Sequence, residues 1–271
     1  MIRPFRRIDV IAALRRADTT KGSADAELVK RLDTLAHFSP TRIPEIGEPD
    51  QLYDLLSAVP LAMEVDALAR EFDVPDLWAT YHQHFGSVPV AERPTTVQLR
   101  GPLLFGLAES ERARRFPSPI REGRLEEAGR LMSVGHDGDR RITAEGHPYV
   151  FDISDDALRG YGHARRALHD CPGVYGASTP VLDALVDSAL AGGALGACLT
   201  GAGLAGTVLA LCTPDHVEGV TDAVTRRLAA PDYAGLARLA EPLSAEEVHA
   251  SIVINRTTSS AGELWLEAVD D

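Results

Sequence analysis

The stretch Ser178-Thr179-Pro180-Val181-Leu182-Asp183-Ala184-Leu185-Val186, followed by Gly196-Ala197-Cys198-Leu199-Thr200-Gly201-Ala202-Gly203-Leu204-Ala205-Gly206-Thr207, decides how the chain is read. Thr179 is a good helix N-cap, because its hydroxyl can accept from an otherwise free first-turn amide, and Pro180 suits the first helical position, where no donor is needed. Leu182, Leu185, Val186, Ala189 and Leu190 recur at the spacing of one helical face, and Gly192-Gly193 ends the helix. Residues 195–200 read as a short strand, 201–206 as a loop and 207–212 as a second strand, so uniformly apolar that burial on both faces is expected. Thr213 and Pro214 open a further helix with Val217, Val220, Val224 and Leu228 on one stripe, and residues 248–254 read as a closing strand.

Working towards the N-terminus, residues 155–169 carry a short helix and 135–149 a polar loop rich in Gly and His. Residues 121–134 and 109–116 read as helices separated by Pro117 and Pro119, and the branched, apolar stretch 95–105 as a strand. Before residue 95 the character is helical. Short helices are expected over 50–58, 65–72 and 76–81, bounded by Pro60, Pro75 and Pro89, and helical apolar spacing (Ile8, Ile11, Leu14; Leu28, Leu32, Leu35) runs through 1–37. The order of elements gives an α+β class: a helical N-terminal segment, 1–94, then an α+β domain, 95–271, in which an antiparallel sheet carries helices on one face.

Composition narrows the partners. Twenty-seven Lys and Arg against 40 Asp and Glu leave a net charge of −13, which repels nucleic acid and anionic membrane, so neither is expected as a partner. The apolar runs fall short of the ~20 residues that cross a bilayer. The basic Arg3, Arg6 and Arg7 precede an apolar stretch broken by Asp9, Arg15 and Arg16, which does not make a secretory signal. Three dispersed cysteines, Cys171, Cys198 and Cys212, fit reduced thiols and a cytoplasmic location, with no metal spacing among them.

The chemistry concentrates in two places. In the loop 200–206 (Thr200, Gly201, Ala202, Gly203, Leu204, Ala205, Gly206), glycine admits positive φ and lets amides converge on an anion; a hairpin turn that needs glycine for geometry alone accounts for the same residues. The pattern is neither a dinucleotide fingerprint nor a P-loop. The second place is His136, Asp137, Asp139 and Arg140. Two carboxylates in a glycine loop can share Mg²⁺ and His136 can exchange protons near neutrality, while a capped helix end with Arg140 paired to an acid accounts for them structurally. His82 and His84 would share a face in a strand, but two His without a third ligand seldom bind metal, and no metal site is assigned. Glu109 and Arg112 have the spacing of an ordinary helical ion pair.

The two blocks quoted at the outset resemble the Ser/Cys-Pro-Glu-Leu-Asp-x-Leu-Val stretch and the Gly-Ala-x-x-Thr-Gly-Gly-Gly-Phe-Gly-Gly loop of galactokinases. Residues 105–112 and 130–140 (Arg130-Leu131-Met132-Ser133-Val134-Gly135-His136-Asp137-Gly138-Asp139-Arg140) are similar to a Glu-x-x-Arg helix and a Leu-Met-x-x-(Ser/Gly)-His-Asp-Gly-Asp-Arg stretch in galactokinase-like proteins. The wider group is the GHMP superfamily of galactokinase, homoserine kinase, mevalonate kinase and phosphomevalonate kinase, and the resemblance spans roughly residues 50–271. It implies a GHMP kinase C-terminal-like domain, a sugar or sugar-like ligand, and ATP with Mg²⁺ as co-substrate. It also implies phosphate contacts from residues 200–206 and substrate-side positions at His136, Asp137, Asp139, Arg140 and Ser178. Ala202 and Ala205 stand where the family has glycine, and Leu204 where it has Phe. These 271 residues contain neither the family's nucleotide loop, Pro-x-x-x-Gly-Leu-(Gly/Ser)-Ser-Ser-Ala, nor its N-terminal sugar-side segment. Asp50-Gln51 matches the catalytic context by letters alone, so no catalytic residue is assigned. The implied role is the C-terminal, substrate-side part of a sugar kinase, working with a separate N-terminal ATP-binding part or as a homo-oligomer. The alternative is a non-catalytic sugar- or metabolite-binding or regulatory protein on the same scaffold.

Overall fold

A computed structural model describes residues 48–71, 76–201, 203 and 206–255; the helices expected over 1–37 lie outside them. Helix α1, Pro49–Ser57, starts at a capping box in which Glu48 and Gln51 satisfy each other's backbone amides, and it buries Leu52, Tyr53 and Leu56. A minimal antiparallel pair, β1 (Ala62–Glu64) and β2 (Thr96–Gln98), brackets helices α2 (Val65–Glu71) and α3 (Leu77–Phe85). His82 and His84 thus sit on a helix, where residues two apart diverge, rather than on one face of a strand.

The strand expected over 95–105 is only three residues long. Helix α4, Arg100–Arg115, takes over because Leu99, Leu103 and Leu107 repeat at helical spacing, with Leu104 and Ala108 alongside, and all five are buried. Pro102 is tolerated because first-turn amides have no intrahelical acceptor. Arg100, 4% exposed, pins the start of α4: its guanidinium donates to the carbonyls of Val59 (2.7 Å), Ser57 (2.7 Å) and Ile153 (2.9 Å) and pairs with Asp155. One apolar cluster joins α1, α4 and α7 (Asp155–His163) through Leu52, Leu56, Leu104 and Leu158.

Short α5, Pro117–Arg121, leads into α6, Leu125–Asp139. The sequence reading ends this helix at Val134, on the strength of Gly-His-Asp-Gly. It runs a turn further because its glycines serve packing: a Cβ at Gly138 would stand 2.2 Å from the Pro172 carbonyl oxygen and 2.5 Å from the Phe105 ring. Helix α8, Pro180–Ala191, has the expected Thr179 cap, whose hydroxyl accepts from the Leu182 amide at 3.3 Å. It buries Leu182, Val186 and Ala189, the two larger side chains contributing about 2 kcal/mol each.

Strands β3 (Gly196–Thr200) and β4 (Thr207–Leu211) form the antiparallel hairpin, with Thr200 opposite Thr207. Helix α6 lies against β3 so closely that Gly129 and Gly196 touch through their backbones; a Cβ on Gly196 would be 2.0 Å from the Gly129 oxygen. Ser133 Oγ and His136 Nδ1 accept the amides of Ala197 (3.4 Å) and Leu199 (3.3 Å), so side chains of α6 occupy one edge of β3 and β4 pairs with the other. Helices α8 and α9 (Val217–Leu228) cover one face through Val186, Ala189 and Val220 packed on Ala197.

Two expectations are overturned here. β4 is not buried on both faces: Thr207 and Leu209 are exposed, Leu209 by 49%, because the face opposite Val208 does not meet α8 and α9. The closing strand over 248–254 is instead helix α11, Ala245–Ala250, which follows α10 (Pro231–Leu236). The Ser244–Glu247 capping box starts it and overrides the apolar run that follows. Among the described residues the class remains α+β, with two small antiparallel sheets and mainly helices before residue 95. Among the described residues no helix is long and apolar enough to cross a membrane.

Candidate functional site

The hairpin loop is built on glycine for two different reasons. Gly201, Gly203 and Gly206 have φ of +88°, +78° and +130°, which L-side chains rarely adopt. Around Gly201 a Cβ would meet nothing within 4 Å, so glycine is needed there for φ alone. At Gly203 a Cβ would stand 2.4 Å from the Ala177 oxygen and 2.7 Å from its Cβ. Gly203 therefore clamps the loop to the segment leading into α8. Ala202, Leu204 and Ala205 lie outside the described residues.

That segment is itself fixed by α6. The Gly138 carbonyl accepts the amides of Tyr175 (2.7 Å) and Gly176 (3.1 Å), and the Asp139 carbonyl accepts that of Ser178 (2.8 Å). The Phe105 and Tyr175 rings stack at 4.7 Å. Ser178, 2% exposed, follows the Ala177 on which Gly203 rests, and Asp139 reaches the assembly through its backbone.

His136 and Asp183 are buried together, 1% and 0% exposed, with Nε2 and Oδ1 3.2 Å apart. Because the Leu199 amide donates to Nδ1, the proton of a neutral ring is on Nε2, which lies against Asp183 Oδ1 as a close contact rather than an aligned hydrogen bond. The other oxygen, Oδ2, accepts the amides of Arg141 (2.9 Å) and Ile142 (3.0 Å). Burial pushes the Asp183 carboxyl up, but the adjacent His136 ring and Ser178 hydroxyl together with the two amide hydrogen bonds outweigh it and hold the group below the usual carboxylate range.

Asp137 and Arg140 belong to a separate cluster. Arg140 pairs with Asp137 (3.2 Å) and with both oxygens of Asp187 one turn along α8 (2.9 and 3.1 Å). Burial raises the Asp137 carboxyl against the opposing pull of Arg140. Since Asp137 and Asp139 lie two apart on a helix, they diverge, and the shared-Mg²⁺ geometry of a loop does not form. Glu109 and Arg112 pair as expected, but Arg112 is 3% exposed and also donates to the carbonyls of Cys171 (2.8 Å) and His169 (3.2 Å), so it ties α4 to the strand-like run before α8. On β3, burial and then the charges of Glu109 and Asp139 push the Cys198 thiol up to about 11, which removes nucleophilic character at neutral pH.

The sequence reading missed Asp183 as a site residue. Its signal was there: a carboxylate on the buried stripe Leu182, Asp183, Val186, Ala189, where an apolar residue is otherwise expected.

A helix N-terminus clamped to a glycine hairpin, with a second helix packed beside it, is the centre of this α+β arrangement. Residues 156–230, which span α7, α8, the hairpin and α9, match the family model for the C-terminal domain of GHMP kinases. The match covers about a quarter of the chain and supports membership of the GHMP kinase superfamily. No curated protein matches the chain, and neither does any solved structure.

Proposed function

We propose that the chain is the substrate-side part of a galactokinase-like kinase, and that residues 200–206 contact the phosphate groups while a sugar or sugar-like ligand lies against the half-buried Asp137, Asp139 and Arg140 at the end of α6. The observation that carries this reading is a hairpin with three positive-φ glycines held at the start of α8, inside the stretch matched by the kinase-family model. The open space around Gly201 suits the close approach of an anion to the backbone. In this reading Mg·ATP supplies the γ-phosphoryl group, and the hairpin's share of catalysis is orientation and neutralisation of charge. In this reading the nucleotide loop belongs to an ATP-binding part outside these 271 residues, which hold no segment of that form.

The second reading, a non-catalytic binding or regulatory protein, is favoured by one feature. His136 is 1% exposed, with Nδ1 accepting the Leu199 amide, which keeps its ring out of contact with any substrate. Titrating the chain with a panel of sugars and with inorganic phosphate, then assaying phosphotransfer from Mg·ATP with and without a GHMP kinase ATP-binding part, separates the two. Turnover only in the mixture supports the kinase part. Ligand binding with no turnover in any mixture supports the second reading. Absence of binding to every sugar and to phosphate overturns both.

A further inference from the structure

Two arms converge on the hairpin loop. The first is β3, whose Leu199 amide donates to His136 Nδ1 at 3.3 Å. The second is the run from Ala177 into α8, on which Gly203 rests and from which Asp183 projects. The 3.2 Å contact between His136 and Asp183 joins them. Traced around, the contacts close a ring: His136 to Leu199, through Thr200 and Gly201 to Gly203, across to Ala177, through Ser178 to Asp183, and back to His136.

From this ring we infer that His136 and Asp183 are a positioning pair that sets the separation between the glycine hairpin and the start of α8. The role rests on the proposed ligand loop for its consequence, and on geometry alone for its existence. Neither side chain reaches solvent, so neither meets a ligand directly. Burying an imidazole and a carboxylate costs more than burying two leucines, and among the described residues Nε2 and Oδ1 have only this mutual 3.2 Å contact to offset that cost. What the polar pair supplies is a fixed link. Nδ1 accepts from one arm and Nε2 lies against the carboxylate of the other, so a single ring touches both at once. An apolar contact at the same place slides without an orientational penalty.

The two halves of the ring's task separate by substitution. In His136→Asn the side-chain oxygen replaces Nδ1 as acceptor for Leu199 and the reach to Asp183 is lost. In His136→Gln the longer amide reaches Asp183 and the Leu199 amide is left without its acceptor.

The experiment is nitrogen-15 NMR of the full, ligand-free chain. Ring nitrogen shifts report the tautomer, and hydrogen exchange reports the amides of Leu199, Gly201 and Gly203, with amides of α4 as internal control. The expected wild-type signature is an unprotonated Nδ1, the acceptor for the Leu199 amide, with the ring proton on Nε2. Exchange at Leu199 rises about tenfold or more in His136→Gln and stays within about threefold in His136→Asn, whereas the hairpin glycines, which need both links, exchange faster in both variants, with α4 unchanged in both. A proton on Nδ1 in the wild type overturns the inference. So does equal acceleration by both variants spread across α4, which marks a general packing role. If His136→Gln does not fold, the wild-type tautomer decides the matter, with Asp183→Asn as the second variant, expected to loosen the hairpin glycines while sparing Leu199. Because no ligand is present, failure here leaves the kinase reading standing, and absence of sugar binding leaves the positioning pair standing.

Discussion

Gly203→Ala and Gly201→Ala test the hairpin's geometry as a pair. Both glycines lie in the left-handed region, at φ +78° and +88°, so each alanine variant carries the conformational penalty of about 1 kcal/mol. Only Gly203 adds a steric cost. Its new methyl would lie 2.4 Å from the Ala177 carbonyl oxygen and 2.7 Å from the Ala177 Cβ, inside contact with groups that are fixed by the Asp139 carbonyl and the start of α8. Overpacking of that kind costs roughly 1–3 kcal/mol. Gly201 meets nothing within 4 Å. Urea unfolding at constant m-value should therefore show Gly203→Ala less stable than Gly201→Ala by about 1–3 kcal/mol. Equal destabilisation of the two variants would refute the clamp between the hairpin and Ala177, and with it the claim that the loop is held at the start of α8.

Three further outcomes follow from the packing and the charges. Gly129→Ala places a methyl 2.2 Å from the Leu195 carbonyl oxygen at the crossing of α6 and β3; backbone lies on both sides, so the cost is about 3 kcal/mol or more, read as a lowered melting temperature by circular dichroism. Arg100→Ala strips donors from the carbonyls of Val59, Ser57 and Ile153 and should destabilise by about 2–4 kcal/mol in urea, with the loss spread over α1 and α4. Asp183 has a depressed carboxyl, so its stabilisation is present above the unfolded carboxylate range of about pH 4 and is lost as pH falls through the lower native value. Asp183→Asn should flatten the stability-against-pH curve in that acid window; an unchanged slope in acid unfolding would show that the carboxylate is not held as described.

What could be read from the sequence was local. Thr179, Pro180 and the 3.6-residue stripe through Leu190 announce α8 because cap and periodicity lie within a dozen residues. Glycine misled at Gly135 and Gly138, where it serves contact with Glu109, Pro172 and Phe105, neighbours that only the folded chain supplies. β4 misled in the opposite way: an apolar run signals burial, but how many faces are covered depends on which layers arrive, and here one does. The candidate site divides along the same line. The hairpin glycines and Ser178 were legible as a pattern, whereas the joining of His136 to Asp183 and the separation of Asp137 and Arg140 into a cluster with Asp187 depend on how α6 and α8 pack.

Calorimetric titration of the chain with a sugar panel and, separately, with Mg·ATP tests the central claim most directly. Saturable heat from a sugar and none from Mg·ATP is the result expected of a substrate-side kinase part. Heat from Mg·ATP and none from any sugar would contradict it.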